Sequence, residues 1–197
     1  MKTATRRIQV DRWSISSSRP FDDIVSALDA VLGHPDIRTL LPEAKASSPS
    51  EMKTMVENAL GPSGFMKFMH FEHGKIVAKE GTGSRRIERF VIGNPLIMKE
   101  MVKHVPDAAS YAPVTILIVE EANSIRLSYD IMTSLLAPYG SAEASEVARD
   151  LDAKIESLLL DVASSNGPNA CSSSRQDSVD PSTAQPKPEA TERHTGH

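Results

Sequence analysis

The sequence predicts an α+β fold, a compact sandwich of a mixed, mainly antiparallel sheet with about four helices, followed by a disordered C-terminal tail. Three observations predict it. Short apolar runs bounded by Gly, Pro and Asn alternate with segments whose apolar residues recur at helical spacing. The apolar runs are close together and joined by short turns, as in hairpins. From Ser164 onward the chain is rich in Ser, Pro and Thr with almost nothing to bury, so it cannot offset its ordering entropy.

The elements follow in order. Residues 7–16, "RIQVDRWSIS", read as a strand in which Ile8 and Val10 fall on one face and Trp13 and Ile15 on the other, a phase break that a bulge or an edge position explains. In residues 19–33, Pro20 suits a first helical turn, Phe21, Ile24, Leu28, Val31 and Leu32 make one stripe, and Gly33 closes the helix. Ser48 and Glu51 have capping-box spacing around Pro49 and open a second helix ending at Gly61, with Met52, Met55, Val56, Ala59 and Leu60 as its stripe. "GFMKFMHFEHGKIVAKEG" reads as two strands around a turn at Glu72, His73 and Gly74, and "RRIERFVIG" as a third. A helix over 95–105, a hairpin over 114–130, a short helix "IMTSLL" and a long helix over 141–163 complete the series. Val147, Leu151, Ile155, Leu158, Leu159 and Val162 form the buried stripe of the last. Residues 1–163 are thus one domain and 164–197 a tail.

The strands do not alternate cleanly. Val114, Ile116 and Ile118 share one face while Leu117 and Val119 take the other; Phe90 and Ile92 oppose Val91. Large side chains of this kind are each worth about 1.5 to 3 kcal/mol when buried. A sheet with no wet side needs a cover on each flank, from helices, a second subunit or a bound apolar ligand. A homodimer is the expected arrangement.

The 197 residues carry a net charge of -4, which gives no general attraction to nucleic acid or anionic lipid. No apolar run reaches the roughly 18 residues needed to span a bilayer, and the basic N-terminus has no apolar stretch behind it, so the expected location is cytoplasmic. The single cysteine, Cys171, excludes an intrachain disulfide and a cysteine metal cluster. No cofactor is indicated: "GTGSRR" leads into a strand where a phosphate loop needs a helix, and no other nucleotide, hydrolase or zinc-protease pattern occurs.

The candidate binding residues cluster at two places. At Gly93, Asn94 and Pro95 a strand turns into a helix; Asn94 as N-cap and Pro95 at the first helical position account for it structurally, and the free N–H groups there can also take an anion or a carbonyl oxygen. Tyr129 and Asp130 could orient a ligand hydroxyl, or Asp130 could cap the short helix with Tyr129 packed beneath it. If the helix 95–105 returns the chain, strands 87–93 and 114–120 run parallel, which puts Asn94 and Tyr129 at opposite ends of the sheet, about 20 Å apart. On the same reasoning the Asn94 end holds His70, Glu72, His73, Glu120 and Glu121. His70 and His73 are the candidate general bases. They point to opposite faces of a strand and have no third ligand, so no metal site is expected.

"VIGNPLIMKEM", "YAPVTILIVEE" and "IRLSYDIMTSLL" resemble the signature blocks of the domain-of-unknown-function family 302, over most of residues 7–160. The resemblance implies a compact α+β sandwich that tends to dimerise, and no reaction, substrate or catalytic residue. The segment around residues 34–61 and the tail depart from the shorter family pattern. Two function classes remain. One is a small-molecule protein that binds an apolar metabolite intermediate, or isomerises or cyclises it without a cofactor. The other is a non-enzymatic homodimerising interaction module.

Overall fold

Five strands, β1 (Arg12–Ser17), β2 (Met66–Phe71), β3 (Ile87–Gly93), β4 (Val114–Glu120) and β5 (Ile125–Asp130), make one sheet in the order β1-β5-β4-β3-β2. The computed structural model describes residues 1–78 and 85–164. The expected tail and most of the "GTGSRR" loop therefore lie outside the described residues.

Every ladder is antiparallel. Among the described residues the parallel component is confined to an isolated bridge between Gly33 and Met66. In particular β3 and β4 are antiparallel, with Ile92 opposite Val114, so the parallel pairing expected from the intervening helix is wrong. Helix α5 (Pro95–His104) carries the chain away and a 3-10 turn at Pro106–Ser110 helps bring it back to the end it left, where Gly93 lies against Pro113. The excursion is a long hairpin connection rather than a crossover.

The four helices of useful length appear as α1 (Phe21–Ala30), α3 (Pro49–Ala59), α5 and α7 (Ala142–Ala163), and "IMTSLL" as the short α6 (Met132–Leu136). Two more were unexpected. Helix α2 (Ile37–Ala46) forms despite Pro42 because the Asp36 side chain caps it by accepting from the Arg38 N–H. Helix α4 (His73–Val77) replaces the second strand of the expected hairpin. Its Gly74 sits so close to the backbone leading into β3 that a Cβ would stand 2.6 Å from the Arg85 oxygen, and Ile76 and Val77 remain exposed. Strand β1 starts at Arg12, after the apparent phase break, and is an edge strand as its pattern suggested.

One sheet face carries Phe90, Ile92, Val114, Ile116, Ile118, Leu127 and Tyr129, which share a core with α1, α5, α6 and α7. The other face carries Val91, Leu117 and Val119, and none of these joins that core. The expected cover on both flanks is therefore corrected: among the described residues the helical layer lies on one side. Arginines stand between the apolar residues on that face and change what it needs. Arg89 reaches past Val91 to Thr115 (3.1 Å) and lies 5.7 Å from the Phe71 ring, while Arg126 donates to Glu121 (2.7 Å) and Ser128 (3.4 Å). Their aliphatic stems shield the small residues beside them, so Val91 and Val119 are 9% and 6% exposed without a second layer.

Candidate functional site

The antiparallel pairing of β3 with β4 brings Tyr129 and Asp130 to the Asn94 end, and α4, standing where a second strand was expected, leaves β2 paired directly with β3 and sends His70 and His73 to the other end. Because β3 and β5 both run antiparallel to β4, Gly93 and Asp130 end at the same edge of the sheet. His70, at the far end of β2, pairs with Phe90 and lies toward the start of β3, away from Asn94.

At the joint, Asn94 is the N-cap of α5: its Oδ1 accepts from the Leu96 N–H at 2.9 Å, and Pro95 occupies the first turn. Its Nδ2 donates to the Gly64 carbonyl at 3.1 Å, which ties the start of α5 to the turn before β2, where Gly64 has φ 77°. Beside these residues is a cavity of about 210 Å3. Phe68, Pro95, Ile97, Met98, Met101 and Pro113 form much of its wall, Leu41 of α2, itself exposed, also lines it, and among the described residues Asn94 is its single polar side chain. Among the described residues no titratable side chain lines it. Gly93 is in the wall because a Cβ there would meet Pro113 at 3.1 Å and Phe68 at 3.4 Å.

Tyr129 and Asp130 share this end of the sheet and do not line the cavity. Asp130 holds Arg12 of β1 through two hydrogen bonds of 2.6 and 3.0 Å. Tyr129 is buried and donates to Asp152 of α7 at 2.7 Å. Asp152, not Asp130, caps α6: its carboxylate also accepts from the Met132 and Thr133 N–H groups at 2.8 and 2.9 Å and from the Thr133 hydroxyl. Burial, then the neighbouring Asp152 charge, pushes the Tyr129 hydroxyl well above its ordinary pKa, so it stays a neutral donor. In the sequence Asp152 is marked only by being a carboxylate between Leu151 and Ile155, next to the apolar stripe.

The opposite end is polar. Glu88 is 7% exposed, its carboxylate accepts from His70 Nε2 at 2.8 Å, and it lies 3.7 Å from Arg86. Arg86 forks onto Asp22 of α1 (2.9 and 2.5 Å) and lies 4.1 Å from the Phe21 ring. That fork holds the Asp22 carboxyl below its usual range. His70 stacks on Phe90 and His73 on Phe71. Among the described residues no group of three or more His, Cys, Asp and Glu is placed to hold a metal ion, and no helix is long and apolar enough to cross a membrane. This end therefore holds a fixed ionic network around a buried carboxylate, and the other holds an apolar cavity free of charge.

Residues 43–161 match the profile of the family described as Domain of unknown function DUF302. A crystal structure of an uncharacterized conserved DUF302 protein from Bacillus stearothermophilus superimposes with a TM-score of 0.56 at 13% identity, covering 78% of this chain and 98% of that one, a likeness of fold. No curated protein matches. The chain belongs to the DUF302 family.

Proposed function

We propose that this DUF302 member binds a small, largely apolar molecule in the cavity beside Gly93, Asn94 and Pro95. One observation carries the reading: a cavity of about 210 Å3 walled by Phe, Met, Ile and Pro side chains with one polar side chain, Asn94, at its edge. Methionine walls adapt to irregular apolar shapes, and a single amide can orient a ligand hydroxyl or carbonyl. With Leu96 N–H already engaged, the ligand's polar group meets the remaining Asn94 amide hydrogen or lone pair. Binding is favoured over isomerisation or cyclisation because, among the described residues, the wall has no titratable side chain to move a proton. Tyr129 and Asp130, engaged with Asp152 and Arg12, stand outside this cavity. His70, paired with Glu88, is the general base that an enzymatic reading would need, and it stands at the other end of the sheet; His73 stacks on Phe71 near it.

Naphthol, an apolar ring system with one hydroxyl, is a suitable probe. It should raise the melting temperature of the wild-type chain in a concentration-dependent way. Met98→Glu places a carboxylate in the wall and should remove that shift. A shift of equal size in the variant, or none in the wild type, would refute the cavity as the site.

A second reading, self-association, draws on the sheet face outside the helical core, where Leu117 is partly exposed and Met69 of the edge strand β2, opposite Val91, is 55% exposed. Sedimentation should then show a dimer that Leu117→Lys converts to a monomer. A wild-type monomer at micromolar concentration would dispose of it.

A further inference from the structure

We propose that α2 is a lid over the cavity, closing on its occupant through Leu41; this rests on the cavity reading and adds how the ligand enters and is retained. Helices α2 and α3 form an excursion whose base is held by backbone hydrogen bonds and by Ser63, whose hydroxyl donates to the Val31 carbonyl at 2.7 Å and accepts from the Phe65 N–H at 3.3 Å. The Phe65 carbonyl accepts from both Gly33 N–H (2.9 Å) and Gly61 N–H (3.0 Å), and Lys67 N–H donates to the Gly33 carbonyl (2.8 Å). The two glycines are pressed together so closely that a Cβ on Gly33 would stand 2.0 Å from the Ala59 oxygen, and one on Gly61 2.3 Å from the Leu32 carbonyl carbon. No side chain fits at either position, so the root of the excursion is fixed.

Above that root the two helices differ. Helix α3 has a complete Ser48–Glu51 capping box, buries Val56 and packs along α5. Helix α2 buries no residue at all. Its apolar stripe, Ile37, Leu40, Leu41 and Ala44 at helical spacing, is only half covered, and Leu41 is 45% exposed while standing at the cavity margin. Pro42 within it has no N–H to return to the carbonyl four residues earlier, which weakens the helix from inside. A helix with little buried surface and a missing backbone bond opens at low free-energy cost. An apolar occupant would complete its stripe, so ligand and α2 would hold each other in place.

Hydrogen exchange on the full chain, with naphthol as the probe, tests this. In the free protein α2 amides should exchange about a hundredfold faster than α3 amides, the ratio for a difference of two decades in opening equilibrium. Saturating naphthol should slow α2 about tenfold and leave α3 unchanged. Leu41→Asp should weaken naphthol binding about tenfold without lowering the melting temperature, since the side chain is largely outside the core. Equal exchange of α2 and α3 in free and bound protein, or naphthol binding to Leu41→Asp with wild-type affinity, would overturn the lid while leaving the cavity standing. Failure of the wild type to bind naphthol, or its undiminished binding to Met98→Glu, would remove the cavity and the lid with it.

Discussion

Asp152→Ala is the substitution whose cost the structure defines best. Asp152 projects from α7, is 6% exposed, and receives four donors: the Tyr129 hydroxyl, the Met132 and Thr133 N–H groups and the Thr133 hydroxyl. Helix α6 has no cap from its own N-terminal residue, so Asp152 supplies it across the fold. Alanine strands the two donors that are buried, Tyr129 Oη and Met132 N, while water can reach the partly exposed Thr133. An unsatisfied buried donor costs about 1 to 3 kcal/mol, so two give roughly 2 to 6 kcal/mol. The relief of no longer burying a carboxylate trims this, and about 3 kcal/mol is expected. Asparagine keeps the shape and one acceptor oxygen and should cost about half as much. Urea unfolding followed by Trp13, which neighbours Tyr129 across the β1–β5 ladder, reads the change. With a slope of about 2 kcal/mol per molar, the midpoint should fall by roughly 1.5 M for alanine. A fall below about 0.3 M would refute the assignment of Asp152 as the cap of α6 and anchor of Tyr129.

Tyr129 gives a pH signature. Its folded-state pKa is raised above the unfolded value near 10, so the folded form resists ionisation; the stability is whole below about pH 10 and drains as pH rises beyond it. Tyr129→Phe should flatten that alkaline decline and cost about 1 kcal/mol at neutral pH, which unfolding curves at both pH values would measure. Gly61→Ala should destabilise by about 2 to 4 kcal/mol, because its Cβ would meet backbone of Leu32 and Gly33 that cannot step aside; a melting temperature unchanged within a degree would contradict the clamp. Asn94→Ala should cost about 1 to 2 kcal/mol in urea unfolding through loss of the α5 cap and the bond to Gly64, and a neutral result would show that the joint needs neither.

Where local chemistry decides the outcome, the sequence is legible. The Ser48–Glu51 capping box, the Asn94–Pro95 helix start and the stripe Leu151, Ile155, Leu158, Leu159 and Val162 all appear as their spacing implies. Direction is not legible. Whether the connection from Gly93 to Pro113 crosses the sheet or doubles back depends on the turn after α5, and that ambiguity moved Asp130 to the wrong end, while a second strand expected where α4 forms moved His70. Helix α4 escaped notice because "KIV" suits a strand equally well and only contact of Gly74 with the β3 backbone selects the helix. The uncovered sheet face was misjudged because Arg89 and Arg126 shield apolar neighbours with their stems. The cavity could not be read at all, since it joins Leu41, Phe68, Met98, Pro113 and Leu151 from five separate elements or loops.

The cavity is tested most directly by titrating isotopically labelled protein with naphthol and mapping the amide chemical-shift changes. The changes should concentrate at residues 93–98 and 112–114, with a second group around Leu41. Changes centred on His70 and Glu88, or spread over Val91, Leu117 and Val119, would place the ligand elsewhere and contradict the account.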